Sequence, residues 1–154
     1  MALLAIDTSL RACGVAVTVG PWALEAMARG QDARLVPLVG EVLAQAGLTY
    51  EGLTGVVVAV GPGSFTGTRV GLAAAQGLAL ALDIPVHGAS TLDALGLGPD
   101  LTEDQKAALV EGRVAPPDPR AYLDLFAQGR ATLPPQPLYL RPPGVTPPAK
   151  GRGR

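Results

Sequence analysis

From Phe65 to Leu82 the chain repeats at helical spacing with apolar or small residues on nearly every side. Only Thr68, Arg69 and Gln76 are polar in its interior. A helix that covers one face of a sheet needs a polar stripe on its other side to meet water. Without that stripe this helix requires two buried faces, and any fold for the chain must supply both. A ridge containing Gly67 and Gly71 favours close approach by a neighbouring helix. A second helix, carrying Leu35, Leu38, Val39, Val42, Leu43 and Ala46 at helical spacing, is placed to lie beside it. One reading has the two helices cover each other within a single domain. The reading preferred here has them meet an equivalent pair on another molecule. It assigns a partner surface to Leu35, Leu38, Val39 and Val42 on the first helix, and to Val70, Ala73, Ala74, Gly77 and Ala81 on the second.

The segments around these helices read as strands. Ala2 to Ile6 is a short apolar run ended by Asp7-Thr8-Ser9, and Cys13 to Val19 is a second run, so the two predict a β-hairpin. Gly20-Pro21 breaks the chain before a third run, Trp22 to Ala28. Asp32 is a candidate N-cap for the first helix and Gly47 a candidate C-terminal stop. Pro37 conflicts with a helix beginning at Asp32, because it removes a helix bond. Gly55 to Val60 has the continuous apolar character of a buried strand. Ile84 to Val86 reads as another, and Thr91 to Leu95 as a helix capped by Ser90 or Thr91. The order is that of a mixed-sheet α/β domain over 1–97. Beyond Gly98-Pro99, Thr102 to Gly112 reads as a polar helix, Ala115 to Pro119 as a linker and Arg120 to Gln128 as a further helix. These make a short helical segment over 98–133, followed by a Pro/Gly-rich tail over 134–154 expected to be extended or disordered.

Composition excludes several functions. A formal net charge of −1 argues against a surface that holds nucleic acid unaided. Cys13 is the only cysteine, which rules out an internal disulfide and a thiolate zinc site, and suits a reducing cytoplasm. The N-terminus lacks the basic lead of a signal peptide, and no uninterrupted apolar run reaches the length of a membrane span. His87 is the only histidine, so a two-histidine metal site is impossible in one chain.

Two places carry possible chemistry. In Val60-GPGSFTGTRVG a buried strand passes through glycines into a helix, which aims backbone N–H groups at one point and suits a phosphate or carboxylate. The lysine of a phosphate-binding Walker loop is missing. The glycines also serve a tight turn and close helix packing. Asp7-Thr8-Ser9, at the end of the first strand, offers a carboxylate for a hydrated metal beside a nucleotide, or simply a satisfied turn. The candidate anion or nucleotide set is therefore Asp7, Thr8, Gly61, Gly63, Ser64, Thr66 and Gly67. No catalytic group, metal site or cofactor is assigned.

The stretches AIDTS, VAVGPGSFTGTRVGLAAAQGLALALDIPVHGASTLDAL and PLYLRPP resemble the TsaB/YeaZ family, dimerisation subunits of the bacterial machinery that forms threonylcarbamoyladenosine in tRNA. The resemblance covers nearly all of 1–97 and then 137–143. It implies an actin-like, ribonuclease H-like N-terminal lobe with a mixed sheet, and a truncated C-terminal lobe. It also implies a non-catalytic scaffold and activator, cytoplasmic and off the membrane. Its partners would be a TsaD-like catalytic subunit and a TsaE-like ATPase, with tRNA reached only through the complex and a homodimer forming when the chain is alone. An ATP hydrolase of the actin-like fold, or a glycoprotease-like peptidase, is the alternative. Two departures stand out. Family members place His-Ser before the first helix, where this chain reads Gln31-Asp32-Ala33-Arg34. About forty residues stand where the family's second lobe belongs, too few for a complete lobe.

Overall fold

A computed structural model describes residues 1–18 and 20–140. The basic end of the tail, Lys150 to Arg154, and the last part of the PLYLRPP motif lie outside the described residues. Five strands form one sheet: β1 (Leu3–Asp7), β2 (Ala12–Val17), β3 (Trp22–Ala26), β4 (Gly55–Ala59) and β5 (Val86–Ala89), in the order β3-β2-β1-β4-β5. The first three run antiparallel, with Ile6 opposite Val15 and Cys13 opposite Glu25. β1, β4 and β5 run parallel, with Ile6 opposite Val58 and Val58 opposite Gly88. The expected hairpin and mixed sheet are therefore present. The last strand sits later than the expected 84–86, because pairing with β4 begins only at Val86, past Pro85.

Alternation along β1 sorts its side chains to two faces. Leu4 and Ile6 join Val15, Val17, Val56 and Val58 on a face of bulky branched residues. Two helices cover it, α1 (Gln31–Gln45) and α2 (Phe65–Leu82), which also touch each other. The opposite face is paved with small residues, Ala5, Ala16, Ala59 and Ala89 beside Val57. There α5 (Arg120–Ala127) packs closely and buries Tyr122 and Leu125 completely or nearly so. Two shorter helices, α3 (Thr91–Leu95) and α4 (Glu103–Val110), lie in the connection to α5. The last helix of segment 98–133 forms the second cover of the sheet.

Three of the helices are capped by side chains, while α1 and α5 are not. Ser64, Ser90 and Thr102 each accept a backbone N–H at the start of α2, α3 and α4, and Gln105 completes a capping box with Thr102. α1 departs from expectation. It begins at Gln31, its N-cap is Gly30 in a left-handed conformation, and Asp32 lies inside its first turn. Pro37 is accommodated within the helix on an exposed side, so tertiary packing of the apolar stripe outweighs one missing bond.

Candidate functional site

The first turn of α2 is built against the β1–β2 turn. A methyl group on Gly63 would collide with the carbonyl of Ser9, and one on Gly67 with the carbonyl of Thr8. Ser64 N–H donates to Ser9 O at 2.8 Å, and the Thr8 hydroxyl donates to Gly67 O. Glycine is used here for contact between backbones. The sides of Gly63 and Gly67 on which a Cβ would stand are closed by two carbonyl oxygens.

The candidate anion set divides in two. Ser64, Thr66 and Gly67 line a cleft of about 490 Å³ between the starts of α1 and α2. Arg11 and Arg29 face it, but Asp32 and Glu111 do too, so its charge is balanced. Asp7, Thr8, Gly61 and Gly63 lie elsewhere. Asp7 points to the α5 face and is buried. Its Oδ1 accepts the Ser9 amide at 2.8 Å and the Ser9 hydroxyl at 2.6 Å, and its Oδ2 accepts the Tyr122 hydroxyl at 2.6 Å. Burial pushes the Asp7 carboxyl above its ordinary range, while the hydrogen bonds from Ser9 and Tyr122 pull the other way. Burial, followed by the nearby Asp7 charge, holds the Tyr122 phenol well above its ordinary value, so the phenol keeps its proton and donates. Among the described residues no group of three or more His, Cys, Asp or Glu could hold a metal ion. His87 is half-buried with its ring edge-on to Phe126, 4.8 Å between centroids.

The expected partner surface is corrected in part. Leu35, Leu38, Val39 and Val42 face inward and fill the core between α1 and the sheet. α1 has a single apolar stripe, and its own sheet takes it. Val70 and Ala74 on α2 are half-buried against that core. Ala73, Gly77 and Ala81 do face outward. Other exposed apolar residues that composition alone did not single out are Leu80 at 86% and Phe65 at 57% on α2, and Val36 at 52% on α1. Arg69 lies over the Phe65 ring at 4.1 Å and donates to the Tyr139 hydroxyl at 2.9 Å, while Phe65 and Tyr139 stack at 5.6 Å. The segment after α5 is tied to this flank by Leu138 N–H to Val60 O and by the Gln76 amide to Pro135 O.

Comparison with known proteins agrees with this geometry. A family model described as TsaD, tRNA N6-adenosine threonylcarbamoyltransferase, matches residues 25–115. The tRNA threonylcarbamoyladenosine biosynthesis protein TsaB of Escherichia coli is 39% identical over 102 residues, covering 64% of this chain and 44% of that protein. TsaB of Bacillus subtilis is 37% identical over 99 residues, covering 62% and 43%. The solved structure of YeaZ from Pseudomonas aeruginosa matches with a TM-score of 0.60 at 38% identity, over 62% of this chain and 46% of that one. The chain therefore spans less than half the length of these relatives. The sheet order, with its likeness to YeaZ, is that of an actin-like, ribonuclease H-like lobe. With the family model matching more than half of its residues, the chain belongs to the TsaD family, on its TsaB/YeaZ branch.

Proposed function

We propose that this chain is a non-catalytic scaffold subunit in tRNA threonylcarbamoyladenosine formation, pairing with a TsaD-like enzyme through the outward face of α2. The observation that carries this is the set of exposed apolar and small residues along that helix, Phe65, Ala73, Gly77, Leu80 and Ala81, which alternate with Thr66, Arg69 and Gln76. A leucine left 86% exposed in the last turn of an ordered helix loses burial that a docked partner would return. The names of the TsaB relatives support the pathway. The non-catalytic part of the reading rests on Asp7, whose carboxylate oxygens are taken by the chain's own donors. In this reading a TsaE-like ATPase joins the pair, tRNA is met only through the complex, and the chain alone forms a homodimer by the same face. The setting is the cytoplasm, and no helix among the described residues is long and apolar enough to cross a membrane.

The test is capture of the TsaD-like enzyme from the same source, with its tRNA-modifying rate measured in parallel. Ala73→Glu and Leu80→Lys each place an unpaired charge in a contact meant to be dry. Both are expected to abolish capture and lower the rate while circular dichroism stays unchanged. Capture that survives both substitutions overturns the reading.

A further inference from the structure

We propose that Tyr122 is a latch which, through Asp7 and Ser9, holds the first turn of α2 in place from the opposite side of the sheet. The links are continuous. The Tyr122 hydroxyl donates to Asp7 Oδ2 at 2.6 Å, and among the described residues no other group donates to that oxygen. Asp7 Oδ1 holds both the amide and the hydroxyl of Ser9. The Ser9 hydroxyl meets Thr91 Oγ1 at 3.1 Å, and the Thr91 amide donates to Gly61 O at 2.9 Å. The Ser9 carbonyl accepts the amide of Ser64, the N-cap of α2, whose hydroxyl in turn accepts the Gly67 amide. Tyr122, Ser9 and Thr91 are fully buried and Asp7 is 3% exposed, so water replaces none of the bonds among these four.

In such a network each member is oriented by the next, and an orphaned acceptor is costly. Loss of the hydroxyl leaves Asp7 Oδ2 unsatisfied. The carboxyl then takes a proton or turns, and either change disturbs the two bonds at Oδ1 that fix Ser9. Ser9 carries the carbonyl on which the α2 cap rests. The C-terminal segment would thus set the order of the helix whose face is proposed to dock. That last consequence rests on the pairing reading; the latch itself does not.

The test is hydrogen exchange in the full chain carrying Tyr122→Phe, which keeps the ring and removes only the hydroxyl. The amides of Ser64 and Gly67 are compared with those of Val57 and Val58 in β4. A merely structural role speeds all four by one common factor. The latch is expected to speed Ser64 and Gly67 at least about tenfold more than the β4 pair. Ser9→Ala, which removes the hydroxyl bond of the middle link and leaves its amide bond, is expected to give the same pattern in weaker form and serves if Tyr122→Phe does not fold. Uniform acceleration, or none at Ser64 and Gly67, overturns the latch. Selective acceleration supports it, and if capture of the enzyme is then unaltered, it is the docking role of α2 that fails.

Discussion

Thr8 and Gly67 meet backbone to backbone, with no room for a Cβ between them. This contact fixes the angle at which α2 leaves its glycine loop. Gly67→Ala is expected to destabilise the fold by about 2 kcal/mol, the usual scale for forcing an extra carbon into a packed site. Gly77 has open space around it, and Gly77→Ala is expected to raise stability by about 0.5–1 kcal/mol through helix propensity alone. Urea denaturation of the two variants checks the contrast. A Gly67→Ala protein as stable as the parent would show that the turn yields.

Asp7 should make the fold sensitive to pH in the direction opposite to that of an exposed ion pair. Its folded pKa is raised, mainly by burial. Its contribution is therefore fully present below its unfolded value of 3.8 and is lost as pH rises through the folded value. Asp7→Asn cannot ionise. The stability of the parent relative to this variant is expected to be greatest in acid and to decline as pH increases from about 4 towards 7. Denaturant midpoints at several pH values would reveal it. A difference between the two proteins that is flat across that range rejects the assignment.

Two leucines separate core from surface. Leu35→Ala removes a buried side chain of the α1 stripe and is expected to cost about 2–5 kcal/mol. Leu80→Ala is expected to change stability by less than about 0.5 kcal/mol and to weaken self-association in sedimentation experiments. A Leu80→Ala protein that loses as much stability as Leu35→Ala would mean that the outward face of α2 is already packed.

Arg69 bridges Phe65 and Tyr139, so its side chain pins the segment after α5 against α2. Arg69→Ala is expected to cost about 0.5–1 kcal/mol, the range of an exposed cation–π contact. The same change should speed amide exchange at Leu138, which bonds to Val60 O. Leu138 exchange that does not respond would assign the pinning to the Gln76 contact instead.

The sheet, the hairpin and α2 were legible because local pattern and tertiary role coincide there. The run 55–60 is apolar on both sides of the strand because both faces of β4 are covered. The start of α1 was not legible, since Gly30 and Pro37 argue against a helix that only the burial of Leu35, Leu38 and Val39 sustains. What covers the apolar stripe of α1 was not legible. Spacing identifies the apolar side of α1, but it does not say whether a sheet of the same chain or another molecule covers it. Of the candidate anion set, the close-packing role of Gly63 and Gly67 was foreseen but their neighbours were not, because Thr8 and Ser9 reach them only through the folded hairpin. Tyr122 was missed altogether. The alternation Leu3, Ala5, Asp7 already placed the carboxylate on the side away from Leu4 and Ile6, and an apolar helix at 120–128 was the only remaining cover for that side.

The alanine pavement beneath α5 has a practical consequence for anyone trimming the chain. Cutting after residue 97 would not yield a tidy miniature, because it strips one broad side of the sheet and leaves the β1 carboxylate without its phenol. Such a fragment would be expected to aggregate or to recruit a foreign helix, so shorter versions need α5 carried along or a substitute for it engineered in.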